Sequence, residues 1–265
     1  MIFQPLRSIQ AVSAPRSTPS ICTDSPFIHL DNQIDAGKCQ CHFYLMDDSS
    51  LERRSDAAEH LKSVALKLFA EHGVDGVTVR EIAAAAGQKN HAALTYHFGS
   101  KDALISELIV DGARAIDRRR NAWLDDCEAV GGPHTVTEVV EGLVRTSISP
   151  DPPPWGECYN RFIVALQISN RPLFMSVVAD RWNSGYQRSL QHVRRLLPGV
   201  QLQVINKRLV FMGAALGGIL ASREGELANQ SRHHPTWGSD QTLSEVAQSL
   251  AWMIEQPASF TTESA

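Results

Sequence analysis

Residues 78–101 read TVREIAAAAGQKNHAALTYHFGSK, and the fold follows from how this stretch is punctuated. Thr78 and Glu81 have the spacing of a capping box, in which the hydroxyl takes the third helical N–H and the carboxylate reaches back. A short helix is expected from Val79 to about Ala86, with Ile82 and Ala83 facing inward. Gly87 breaks it, because a tight turn here needs a positive φ that glycine tolerates. A second short helix is expected from about Asn90 to Tyr96. Gly99 ends that helix, and Ser100 can cap a long helix from Lys101 to about Asp125. Small residues at Ala83 and at Ala84 or Ala85 let the two short helices pack closely. The pattern is a helix-turn-helix.

That pattern fits double-stranded DNA. The second helix must present side chains that reach base edges, and Gln88, Lys89, Asn90, His91 and Thr95 are placed to do so. Gln and Asn can bond adenine in a bidentate manner, and Lys can donate to guanine. Thr78 and Ser100 start helices, where free N–H groups favour an anion. Thr78, Arg80, Tyr96, His97 and Lys101 are the candidates for phosphate contacts, which set position and not sequence. Arg80, Lys89 and Lys101 outnumber Glu81, so the stretch is net +2. Short helical hairpins with glycine turns are also common without DNA, and Tyr96 or Phe98 can equally serve as core residues. Phe98 is expected to pack with Phe69.

Upstream, Leu61, Val64, Ala65, Leu68 and Phe69 recur with helical spacing and form one apolar stripe. Gly73 follows as a C-terminal cap. With these residues in place, the stretch LKLFAEHGVDGVTVREIAAAAG…YHFGSKDALISELI resembles the N-terminal domain of TetR-type transcriptional regulators. The likeness covers about Ala57 to Val110. Eight residues separate Gly87 from Tyr96, one more than in the commonest family pattern. The Gly-Gln-Lys-Asn form resembles a variant found in a subset of such regulators. The resemblance implies a homodimer that reads a near-palindromic operator with two reading helices in successive major grooves, ~34 Å apart or somewhat more. It also implies a larger helical domain that binds a small-molecule ligand and dimerises, and repression as the mode of regulation.

Downstream the chain reads as helical, giving an all-α fold. Helices are expected at 134–148, 155–169, 172–197, 201–224 and 241–255, with breaks at glycine and proline clusters. The resulting division is 51–102 for the DNA-binding unit and 103–257 for the ligand-binding and dimerisation unit. Leu209, Met212, Leu216 and Leu220 form a stripe, with Gly213 and Gly217 allowing close approach. Together with Leu250 and Met253 they are the expected dimer interface, intramolecular core being the alternative. Trp123, Trp155, Tyr159, Phe162, Phe174, Trp182 and Tyr186 concentrate aromatic surface and are the expected ligand-pocket walls, although each can instead fill a core.

The remaining features limit the function. The chain of 265 residues carries net −4, which excludes a protein that holds nucleic acid by bulk positive charge. Residues 121–265 account for most of that acidity, leaving a basic patch on an acidic body. Residues 1–50 are proline- and serine-rich and are expected to lack structure, as is the tail 258–265. Met46 reads as an alternative start, with 1–45 an upstream extension. Five cysteines, an odd number, argue against a disulfide framework and for a reducing, cytoplasmic setting. Cys39, Cys41 and His42 crowd too closely for a metal site of finger spacing, and neither metal nor cofactor is expected. The apolar run Leu209 to Ala221 is shorter than the ~20 residues of a membrane span. No phosphate-cradling glycine loop or hydrolase motif is present, so an enzyme would need an unrecognisable site. A helical protein-interaction module without DNA binding is the other alternative.

Overall fold

A computed structural model describes residues 48–88, 90, 92–148, 158–178 and 181–257, with side chains from residue 56. The segment 1–47, the tail 258–265, and Lys89, His91 and Trp155 lie outside the described residues. Among those described, all regular structure is helical: α1 (Asp48–His72), α2 (Val79–Ala85), α3 (Ala92–Phe98), α4 (Lys101–Ala129), α5 (Val136–Thr146), α6 (Tyr159–Ser169), α7 (Arg171–Val178), α8 (Ser184–Leu196), α9 (Leu202–Ala228) and α10 (Asp240–Glu255).

Local punctuation accounts for several helix ends in the first half of the chain. Thr78 and Glu81 form the expected capping box at α2, and Thr135 with Glu138 forms another at α5. After α2, the Gln88 N–H reaches the Ala83 carbonyl at 2.9 Å and the Gly87 N–H reaches Ala84 at 3.0 Å. This pair of bonds needs the left-handed φ of +65° that Gly87 supplies. Helix α4 runs past the expected Asp125 and ends in the same way, with the Gly132 N–H on the Cys127 carbonyl at 2.8 Å.

The expected single helix over 172–197 is two helices. Trp182 takes a φ of 57° and stops any continuation from α7. Helix α8 then starts under a cap supplied by α4. The Asp117 carboxylate accepts the Ser184 hydroxyl at 2.9 Å and the Gly185 N–H at 2.8 Å. A cap donated by a residue 67 positions away leaves no mark in the local helical period.

Two hydrophobic cores result. The first joins α1, α2, α3 and the first turns of α4 to α6 and α7, through Leu61, Phe69, Ile82, Leu94, Leu104, Phe162 and Phe174. The helix-turn-helix therefore shares its core with α6 and α7, and the packing continues across the expected division at 102/103. The second core joins α5, α8, α9 and α10. A buried polar chain connects the helices of both. Arg120 donates to the hydroxyls of Thr146 at 3.2 Å and Ser147 at 3.0 Å. Asn160 donates to the Ser147 carbonyl at 3.3 Å and to Glu224 at 2.8 Å. Glu224 also accepts the Arg161 N–H at 2.8 Å, so α9 caps α6. Burial pushes the Arg120 pKa down to about 10, and among the described residues no carboxylate pairs with it.

The expected dimer stripe lies within this packing. Leu209, Met212, Gly213, Leu216, Gly217, Leu220 and Leu250 are buried in the chain's own second core, and Met253 packs partly buried against it. Helical spacing reveals an apolar stripe but not which surface covers it, and here α6, α10 and α8 of the same chain pack on α9. The apolar surface left outside α9 is Val210, Phe211, Ala214 and Gly218, with Trp252 on α10.

Candidate nucleic-acid interface

Helix α3 begins at Ala92, two residues later than expected. The Asn90 side-chain carbonyl accepts the Ala92 N–H at 2.9 Å, and its backbone carbonyl accepts the Ala93 N–H at 3.1 Å. Asn90 thus behaves as a helix-capping residue, its Oδ1 already bonded. In that rotamer it cannot offer both amide atoms to adenine. Gln88 is half-buried in the turn, and its backbone N–H closes α2.

Leu94 and Phe98 anchor α3 in the first core, at 0% and 8% exposure. Their spacing turns Ala92, Thr95 and Tyr96 outward, with Tyr96 at 61% exposure. The outer face thus holds two expected residues and one the sequence reading missed. Ala92 could have been found only by knowing where α3 starts. Its methyl group suits contact with a thymine methyl, while Thr95 can bond a base edge or phosphate. His97 is half-buried, its ring 5.1 Å from Tyr96.

The expected phosphate ligands divide. Arg80 is exposed at the start of α2. Thr78 is committed locally, its N–H donating to Glu81 at 2.7 Å and its hydroxyl donating to the same oxygen at 2.8 Å. These bonds hold the Glu81 carboxyl below the usual range, the backbone bond from Thr78 first. Glu81 therefore engages the Thr78 N–H and hydroxyl, two donors that a phosphate would otherwise meet. Lys101 is half-buried. Its ammonium donates to the Val74 carbonyl at 2.6 Å and lies 5.8 Å from the Phe69 ring centre. It ties the start of α4 to the loop before α2 and retains two donors.

Among the described residues, the expected ligand-pocket aromatics are distributed over both cores. Tyr159, Phe162 and Phe174 belong to the first core and Tyr186 to the second. Trp182 stacks on Arg114 at 4.6 Å. Trp123 alone of the described set lines the cleft between the end of α4 and α5.

A sequence model of the tetR family of bacterial regulatory proteins matches residues 61–108, the span that contains α2, α3 and most of α1's core stripe. No curated protein matches the chain. Among solved structures, a transcriptional regulator from Rhodococcus sp. Rha1 is similar with a TM-score of 0.45 and 19% identity, over 74% of this chain and 95% of that one. A protein described as superantigen pfit gives 0.45 and 20%, over 77% and 96%. The TetR family transcriptional regulator PfmR from Thermus thermophilus gives 0.39 and 18%, over 73% and 96%. Residues 61–108 thus match the N-terminal domain of the tetR family of bacterial regulatory proteins, the DNA-binding domain of a transcriptional regulator.

Proposed function

We propose that this regulator is a ligand-responsive repressor that binds a near-palindromic operator as a homodimer, with Ala92, Thr95 and Tyr96 presented to the major groove. The observation that carries the dimer is the outer face of α9 and α10. Phe211 and Trp252 are 61% and 67% exposed, and Val210, Ala214 and Gly218 extend the face. Large apolar side chains grouped on one face mark an interaction surface. A two-fold contact would cover the same patch on both subunits.

Helix α9 is long and apolar enough to cross a bilayer by length and composition. We read it instead as a dimer helix in the cytoplasm, because its inner stripe is core and its Glu224 carboxylate caps α6. Regulators of this family are generally not enzymes, and we assign this chain no reaction. Coupling to DNA has a physical route. Helix α1 packs on α6, and α9 holds the first N–H groups of α6 through Glu224. A ligand can shift the reading helices only by its differential affinity for two such arrangements.

Electrophoretic shift on the DNA flanking the gene, at low and moderate salt, tests the reading. A shift that weakens with salt is expected. Thr95→Val and Tyr96→Phe should change affinity or base preference without changing the fold. No shift at low salt would overturn the proposal.

A further inference from the structure

Three consecutive residues at the start of α6 tie it to three other helices. The Tyr159 hydroxyl donates to the Ile109 carbonyl of α4 at 2.9 Å. The Asn160 side-chain amide donates to the Ser147 carbonyl, at the end of α5, at 3.3 Å and to Glu224 of α9 at 2.8 Å. The backbone N–H groups of Asn160 and Arg161 donate to the two oxygens of Glu224, at 3.1 Å and 2.8 Å. Cys158, at the N-cap position, supplies no side-chain cap, so a carboxylate 63 positions away fills that place. A carboxylate only 5% exposed is tolerated when its oxygens are bonded in this way. The position of α9 on α6 is therefore fixed by bonds that a small slide would break.

Each side of this junction reaches a functional surface. Toward DNA, Phe162 of α6 stacks on Phe69 of α1 with 6.0 Å between ring centres, and α6 shares the first core with α2 and α3. Toward the partner subunit, Glu224 stands on the same helix as Phe211, in the outer face read above as the subunit contact. The helix is continuous from Leu202 to Ala228, and Phe211 and Glu224 are about 20 Å apart along it. A small tilt of α9 at the subunit contact thus becomes a larger displacement at the start of α6.

We propose that Glu224 is a positioning residue for DNA binding. By holding the first turn of α6 on α9, it fixes the distance between the two reading helices of the dimer, and with it the half-site spacing that the regulator accepts. The inference rests on the homodimer reading above. On that reading each subunit meets its own half-site through residues of α2 to α4, and Glu224 touches no DNA. Loss of its bonds leaves recognition of one half-site in place. It widens the range of spacings at which both half-sites can be engaged at once, which is the geometric condition for the avidity of a dimer.

The test uses the full chain and duplexes that it selects from a random-sequence pool. Derivatives of one selected duplex carry one base pair more or fewer between the half-sites, or one half-site alone. One inserted base pair moves the second half-site by about 3.4 Å along the axis and rotates it by about a tenth of a turn. The parent protein should bind the altered spacings about tenfold or more weakly, the scale of a coupling between sites. Glu224→Gln keeps the shape but replaces one acceptor oxygen by a donor that faces an N–H. Its spacing penalty should be several-fold smaller than the parent's, with the affinity for a single half-site unchanged. Asn160→Ala removes the side-chain bonds, leaves the two backbone donors and should act in the same direction, which keeps the test open if Glu224→Gln does not fold. An unchanged penalty in every variant that folds, a parent without a penalty, or a loss of single half-site affinity as large as the loss for the full duplex overturns the role of Glu224 and leaves the homodimer standing. Selection of no duplex, selection of duplexes with one half-site only, or a monomer by light scattering overturns the homodimer reading and this inference with it.

Discussion

Gly112 lies in the interior of α4, beneath the ring of Tyr159. An added Cβ would sit 2.1 Å from Tyr159 Cε2. Carbon atoms in contact prefer about 3.5–4.0 Å, so Gly112→Ala must displace the ring by well over an ångström. The ring is not free to move, because its hydroxyl donates to the Ile109 carbonyl at 2.9 Å and its face packs against the first core. Overpacking costs about 1–3 kcal/mol, and losing the tyrosine hydrogen bond costs about 1 kcal/mol more. Alanine gains about 1 kcal/mol over glycine in a helix. The net expectation is a destabilisation of about 1–3 kcal/mol, measured by urea unfolding. The sharper test is the sign in a second background. With Tyr159→Ala the obstruction is gone, and Gly112→Ala should then stabilise by about 0.5–1 kcal/mol through helix propensity alone. Gly112→Ala that stabilises the parent protein, or effects that add within about 0.5 kcal/mol across the two backgrounds, would refute the argument.

Further outcomes follow from other contacts. Phe211→Glu with Trp252→Glu should give a folded monomer by light scattering and weaken operator binding, whereas Leu216→Ala should cost about 2–5 kcal/mol of stability because Leu216 is core. Thr146→Val removes an acceptor from the buried Arg120 guanidinium and should cost about 1–3 kcal/mol. Arg120→Met should instead be near neutral or stabilising, since it removes the unpaired charge together with its desolvation cost; thermal melts compare the two. The Glu81 carboxyl is held below its ordinary value in the folded state, so its contribution is present at neutral pH and is lost as pH falls through that lowered value. Glu81→Gln should therefore reduce the acid sensitivity of α2, read by amide exchange across Val79–Ala85 at pH 3 to 5. Lys101→Ala should lower both stability and DNA affinity, because the ammonium bonds Val74; loss of affinity alone, with an unchanged melt, would return Lys101 to a purely phosphate-binding role.

What the sequence determined by itself was local. The capping box of Thr78 and Glu81, the turn at Gly87, the cap at Ser100 and the apolar stripe of α1 all act within three or four residues, and each stands where the sequence reading put it. The second capping box, Thr135 with Glu138, has the same three-residue spacing and is equally visible in the sequence. The family pattern was legible for the same reason, since its motifs are runs of adjacent residues. The tertiary structure decided what those elements meet. Asn90 became a cap, and α3 began at Ala92, because side-chain and backbone carbonyls competed locally in a way that periodicity does not record. Helix 172–197 divided because Asp117 caps α8 from a distant turn of α4. The leucine stripe of α9 closed on its own chain, which leaves Phe211 and Trp252 as the outward face. An apolar period states only that a surface must be buried; which partner buries it depends on contacts between residues far apart in the chain, and only the folded packing supplies those.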